Sequence, residues 1–123
     1  MSMRCLLVDD SVRFLEAART LLERDGVVVV GVATTGADAL ERAAELAPDV
    51  ALVDLDLDGE SGLDLARLLA ERVPAVIIVS THSQEDFQEL VAASPARGFV
   101  PKSTLSARAI RDVLGNEGTT APT

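Results

Sequence analysis

Short apolar runs alternate five times with segments whose apolar residues recur at helical spacing, and that alternation constrains the fold more than any other feature. The runs are Arg4-Cys5-Leu6-Leu7-Val8, Val27 to Val32, Val50 to Val53, Ala75 to Val79 and Gly98-Phe99-Val100. They lack the polar alternation of a half-exposed sheet, which is the pattern of strands buried on both faces. Strand–helix repeats of this kind imply parallel strands joined by right-handed crossovers, with helices on both sides of the sheet. The expected class is therefore α/β, a doubly wound five-stranded parallel sheet.

The intervening segments carry helix signals. Ser11 is a plausible N-cap for a helix presenting Phe14, Leu15, Ala18, Leu21 and Leu22, stopped by Arg24-Asp25-Gly26. Thr35-Gly36 leads into a second helix with Leu40, Ala43, Ala44 and Ala47 on one face, ended by Pro48. A third runs from about Ser61 to Arg72 with Leu65, Leu68 and Leu69 inward. A fourth, Gln84 to Ala93, presents Phe87, Leu90 and Val91, and a last one carries Ala107, Ile110, Val113 and Leu114.

Composition excludes several functions. The chain has 123 residues, enough for one domain with a sizeable core. A formal net charge of −9 and the absence of Trp and Tyr argue against nucleic-acid contact by this domain, since phosphates need clustered Lys and Arg and single strands need stacking rings. No apolar run is long enough to span a bilayer, so no membrane role is expected and the protein should be soluble and cytoplasmic. The single Cys5 lies within a buried strand and forms no disulfide framework.

Chemistry-bearing side chains gather at the carboxyl ends of the strands: Asp9 and Asp10 after the first, Asp54 after the third, Ser80 after the fourth and Lys102 after the fifth. Open α/β sheets bind ligands at that edge. Asp54-Leu55-Asp56-Leu57-Asp58-Gly59 has three readings. One is the first half of a calcium loop, but its twelfth position is Leu65 instead of Glu and a strand, not a helix, precedes it. Another is a nucleophilic carboxylate that forms an acyl phosphate. The last is a solvated acidic turn. Close pairs of carboxylates repel by on the order of 4 kcal/mol at an effective dielectric of about 20, so a cluster of three implies a cation. All-oxygen ligands suit Mg²⁺, with Mn²⁺ as a substitute, and a Lys and a hydroxyl beside it suit a phosphoryl group.

These motifs together resemble the receiver domain of two-component response regulators, over about residues 3–114. The resemblance implies a flavodoxin-like (βα)5 fold of strand order 2-1-3-4-5, with a receiver domain at 1–114 and a flexible tail or truncated linker at 115–123. It implies that Asp54 accepts a phosphoryl group from a sensor histidine kinase. Asp10, Asp54 and the backbone carbonyl of Asp56 would hold Mg²⁺, with Asp9 acting through water. Lys102 and Ser80 would contact the phosphoryl oxygens, and Ser80 and Phe99 would move together as the switch. Output would pass through the fourth helix, fifth strand and fifth helix, a surface that could also form a homodimer. Enzymatic character would be limited to self-phosphorylation and autodephosphorylation.

Two positions depart from the family's commonest pattern. Asp58 stands where Pro is usual, which should leave the loop less rigid. Asp56 and His82, each two residues past a site residue, flank the approach of an attacking water and are candidate modulators of phosphate lifetime. The competing functions are a constitutive interaction module of the same fold and a small phosphatase resembling the haloacid dehalogenases. The latter family places its Asp-x-Asp motif first, whereas here Asp9-Asp10 precede Asp54. The ending Gly98 to Ser103 resembles receivers that precede helix-turn-helix output domains.

Overall fold

The structure, a computed structural model, describes residues 3–81 and 84–118. Strands β1 (Arg4–Val8), β2 (Val28–Ala33), β3 (Val50–Asp54), β4 (Ala75–Ser80) and β5 (Gly98–Pro101) form one sheet. Their order is β2-β1-β3-β4-β5 and every neighbouring pair is parallel, as the alternation of strands and helices requires. The helices are α1 (Val12–Arg24), α2 (Gly36–Leu46), α3 (Gly62–Leu69), α4 (Gln84–Ala92) and α5 (Ala107–Gly118).

Alternation along each strand divides the core in two. Leu6, Val8, Ala51, Val53, Val76, Ile78 and Phe99 face α2, α3 and α4. Cys5, Leu7, Val50, Leu52, Ile77, Val79 and Val100 face α1 and α5. All of β3 and β4 is buried, down to Asp54 and Ser80 at their ends. Burying each Leu or Ile in these layers contributes about 1.5–3 kcal/mol, which makes the sheet the rigid base of whatever its carboxyl edge carries.

The starts of α1, α2 and α3 follow the sequence closely, because each of these helices has a hydroxyl cap. Ser11, Thr35 and Ser61 accept from the backbone N–H of Phe14, Asp38 and Asp64. Helix faces and ends differ more. On α3 the inward stripe is Leu65, Ala66 and Leu69, and Leu68 is 51% exposed because it lies about 60° off that stripe at helical spacing. On α2, Ala39 and Ala43 are buried while Ala44 and Ala47 are exposed. Ala47 has left the helix in a left-handed conformation (φ 47°), ahead of Pro48, whose ring disfavours helix in the preceding residue. Arg4 closes that helix end by donating to the carbonyls of Leu46 and Ala47, each at 2.8 Å.

α3 stops at Leu69, short of Arg72, because the N–H groups of Arg72 and Val73 both fold back onto the Leu69 carbonyl. The turn buries Val73. α5 continues through Gly118.

Candidate functional site

Two loops and one turn build the site at the carboxyl edge of the central strands. β1 and β3 are neighbours, in register with Val8 opposite Val53, so Asp9, Asp10 and Asp54 emerge side by side. Their carboxylates each offer an oxygen within 4.8 Å of the others. Asp9 is 1% exposed and Asp54 6%, whereas Asp10 is exposed and forms the open side of the cluster.

The cluster is held from both sides. Asp9 Oδ1 accepts from the N–H of Ser11 at 2.8 Å, and the Asp9 N–H donates to the Ala33 carbonyl. Lys102 opens a short 3₁₀ turn, Lys102–Thr104, directly after β5. Its ammonium lies 2.6 Å from Asp9 Oδ2 and 3.4 Å from Asp54 Oδ2. The N–H of Asp56 approaches Asp54 Oδ1 at 3.4 Å. Ser80 is buried at the end of β4, opposite Pro101 in register.

Burial pushes the Asp54 carboxyl up to about 6, and the charge of Asp9 adds to the effect. Lys102 and the Asp56 N–H oppose it. One ammonium thus leaves negative charge in excess among three carboxylates, two of them buried. A hard cation with oxygen ligands fits this donor set. The arrangement can hold a metal and present a desolvated carboxylate nucleophile beside a fixed ammonium.

The response regulator receiver domain family matches residues 5–114. The chain belongs to that family. Over 100 residues it is 43% identical to protein-glutamate methylesterase/protein-glutamine glutaminase 5 of Myxococcus xanthus, covering 79% of this chain and 28% of that protein. It is 30% identical over 120 residues to the transcriptional regulatory protein DesR of Bacillus subtilis, covering 94% of this chain and 60% of the relative. The signal receiver domain of the response regulator NarL from Mycobacterium tuberculosis superposes with a TM-score of 0.80 at 30% identity, covering 95% of this chain and 98% of that one. This receiver domain therefore spans less than two thirds of each of the two curated relatives. Among the described residues no helix is long and apolar enough to cross a membrane.

Asp9, Asp10, Asp54 and Lys102 come together as the sequence suggests. Phe99 is 7% exposed and packs in the core layer beneath α4, beside a cavity also lined by Val91 and Ala96. His82 lies outside the described residues. The calcium reading fails on geometry: its twelfth position, Leu65, is buried in the core.

The acidic loop folds as a small hairpin. Asp56–Leu57 and Glu60–Ser61 pair as a two-residue antiparallel hairpin around Asp58-Gly59. Asp58 and Gly59 both have positive φ, 47° and 91°, as in the hairpin turn that Asp-Gly favours. Pro, fixed near −65°, could not stand at Asp58 in this turn. Glu60 then ties the hairpin to α2 by accepting from the Gly36 N–H at 3.1 Å. The Asp-Gly pair between two short alternating stretches was the signal for it.

Phe14 is the other residue missed. Its ring faces Lys102, with the ammonium 4.5 Å from the ring centroid. Helical periodicity places Phe14 on the core face of α1, and nothing in that pattern points to Lys102.

Proposed function

We propose that this receiver domain is a phosphorylation-switched signalling module in which Asp54 takes a phosphoryl group from a phosphohistidine of a sensor kinase. The observation that carries the reading is the Lys102 ammonium within ion-pair reach of both Asp9 and Asp54, inside a three-carboxylate cluster. An oxygen of the Asp54 carboxylate attacks phosphorus and the P–N bond breaks. Its electron pair returns to the imidazole, which takes up a proton as it leaves. Water attack on phosphorus later breaks the acyl phosphate, releasing inorganic phosphate and restoring the carboxylate.

Asp10, Asp54 and the Asp56 carbonyl would hold Mg²⁺, with Asp9 joining through water. The ion supplies positive charge against the phosphoryl oxygens. Lys102 neutralises one phosphoryl oxygen and Ser80, at the end of the neighbouring strand, donates to another. Movement of Ser80 toward the phosphoryl group opens room for Phe99, which links the site to α4, β5 and α5. Leu90, 55% exposed on α4, favours that surface as the homodimer contact. Asp56, exposed beside the acceptor, and His82 tune the attacking water. The transcriptional role of relatives such as DesR supports an output in transcription.

Borohydride reduction tests the acceptor, since it converts an aspartyl phosphate to homoserine. After incubation with a phosphohistidine donor and Mg²⁺, peptide mapping should place homoserine at residue 54. Homoserine at another aspartate, or at none, would contradict the assignment.

A further inference from the structure

The Lys102 ammonium has a neutral partner as well as two anionic ones: it stands 4.5 Å over the Phe14 ring, within the range of a cation–π contact. The ring is held on the same short segment as the carboxylate that Lys102 approaches most closely. Asp9 Oδ1 accepts from the Ser11 N–H at 2.8 Å, and Ser11 Oγ accepts from the Phe14 N–H at 3.2 Å. Asp9 and Phe14 are thereby fixed to one another by the cap of α1. Lys102 enters between them from a turn that is itself closed by the Leu105 N–H on the Lys102 carbonyl. Only 14% of the Lys102 side chain is exposed, and an aromatic face holds a cation best where water is scarce.

We infer that Phe14 is a positioning residue, holding the Lys102 ammonium at the acceptor while a cation occupies the carboxylates. The reason is competition. Asp9 and Asp54 are the partners of Lys102 and also members of the cluster suited to a divalent ion, so a bound ion would compete with the ammonium for both carboxylates. The ring bears no charge for the metal to claim. It keeps a long, flexible side chain from swinging into water at the moment a phosphoryl oxygen needs it. This inference rests on the reading of Asp54 as phosphoacceptor.

A graded series separates this role from packing. Wild type would be compared with Phe14→Leu and with 4-fluoro-, 3,5-difluoro- and 3,4,5-trifluorophenylalanine at position 14. Each would be phosphorylated by phosphoramidate at saturating Mg²⁺ and followed by intact mass. Fluorine withdraws charge from the ring face while leaving its shape nearly unchanged. The logarithm of the rate should fall stepwise with fluorine number at a level melting temperature, and Phe14→Leu should be slower by roughly fivefold. Equal rates across the fluorinated series would overturn the inference while leaving the acceptor reading standing. A wild type that takes up no phosphoryl group would overturn both.

Discussion

Lys102 makes its shorter ion pair with Asp9, at 2.6 Å, and not with Asp54, at 3.4 Å. The ammonium thus serves the most deeply buried carboxylate of the cluster and leaves Asp54 only partly neutralised. The electrostatics of the site follow from that division.

Removing the ammonium should expose both sides of it. Lys102→Met keeps the length of the side chain but strands a buried Asp9. Loss of one partner from a buried pair costs about 3 kcal/mol, so the metal-free melting temperature should fall by roughly 10 °C. Mg²⁺ should bind this variant more tightly than wild type, because no cation competes for the carboxylates, and should restore much of the lost stability. Calorimetry with and without Mg²⁺ checks both; weaker Mg²⁺ binding by the variant would contradict the competition.

The raised Asp54 carboxyl sets a pH dependence. Its value of about 6 lies above the ordinary 3.8, with burial as the main cause. As pH rises from about 3.8 to about 6, the unfolded chain gives up this proton before the folded one, so this group's contribution to stability falls across that window and levels off above it. Asp54→Asn removes the titration. Its metal-free melting temperature should exceed that of wild type at pH 7, with the gap narrowing toward pH 4. A gap that stayed constant with pH would mean that Asp54 titrates normally.

Asp10→Asn should stabilise the metal-free protein in the same direction but by less. Asp10 is the exposed member of the cluster and water already screens its charge. Thermal melts of Asp10→Asn and Asp54→Asn side by side rank the two, and the reverse ranking would place the repulsion elsewhere.

Two positions in and after the acidic loop constrain substitution. Asp58→Pro demands a negative φ where the turn has +47°, and should cost about 1–3 kcal/mol by breaking the hairpin. Gly62 is tighter still: a methyl group there would overlap the Asp54 carbonyl oxygen. Gly62→Ala should therefore lower the melting temperature and slow phosphorylation together, by displacing the end of β3. Wild-type rates in a folded Gly62→Ala protein would show that the acceptor tolerates that shift.

The sheet and the carboxylate cluster were legible because each rests on a local signal. Uninterrupted apolar runs give buried strands, and charged residues directly after them must emerge at one edge. Features set by three-dimensional closure were not legible. Leu68 and Ala44 carry helix-face chemistry yet point outward, since a stripe only about 100° wide is buried and its phase depends on what the helix packs against. Phe14 reads as core in any helical projection, and its contact with Lys102 joins residues at opposite ends of the chain. The Asp58-Gly59 hairpin could have been read, because that dipeptide between two short strands carries its own turn geometry.

The central claim is tested most directly by intact-protein mass spectrometry after incubation with acetyl phosphate, with and without Mg²⁺, on wild type and Asp54→Asn. The account predicts the gain of one phosphoryl group in wild type only when Mg²⁺ is present, and none in the variant. No adduct in wild type under either condition, together with no release of inorganic phosphate, would contradict it and leave a constitutive interaction module of the same fold.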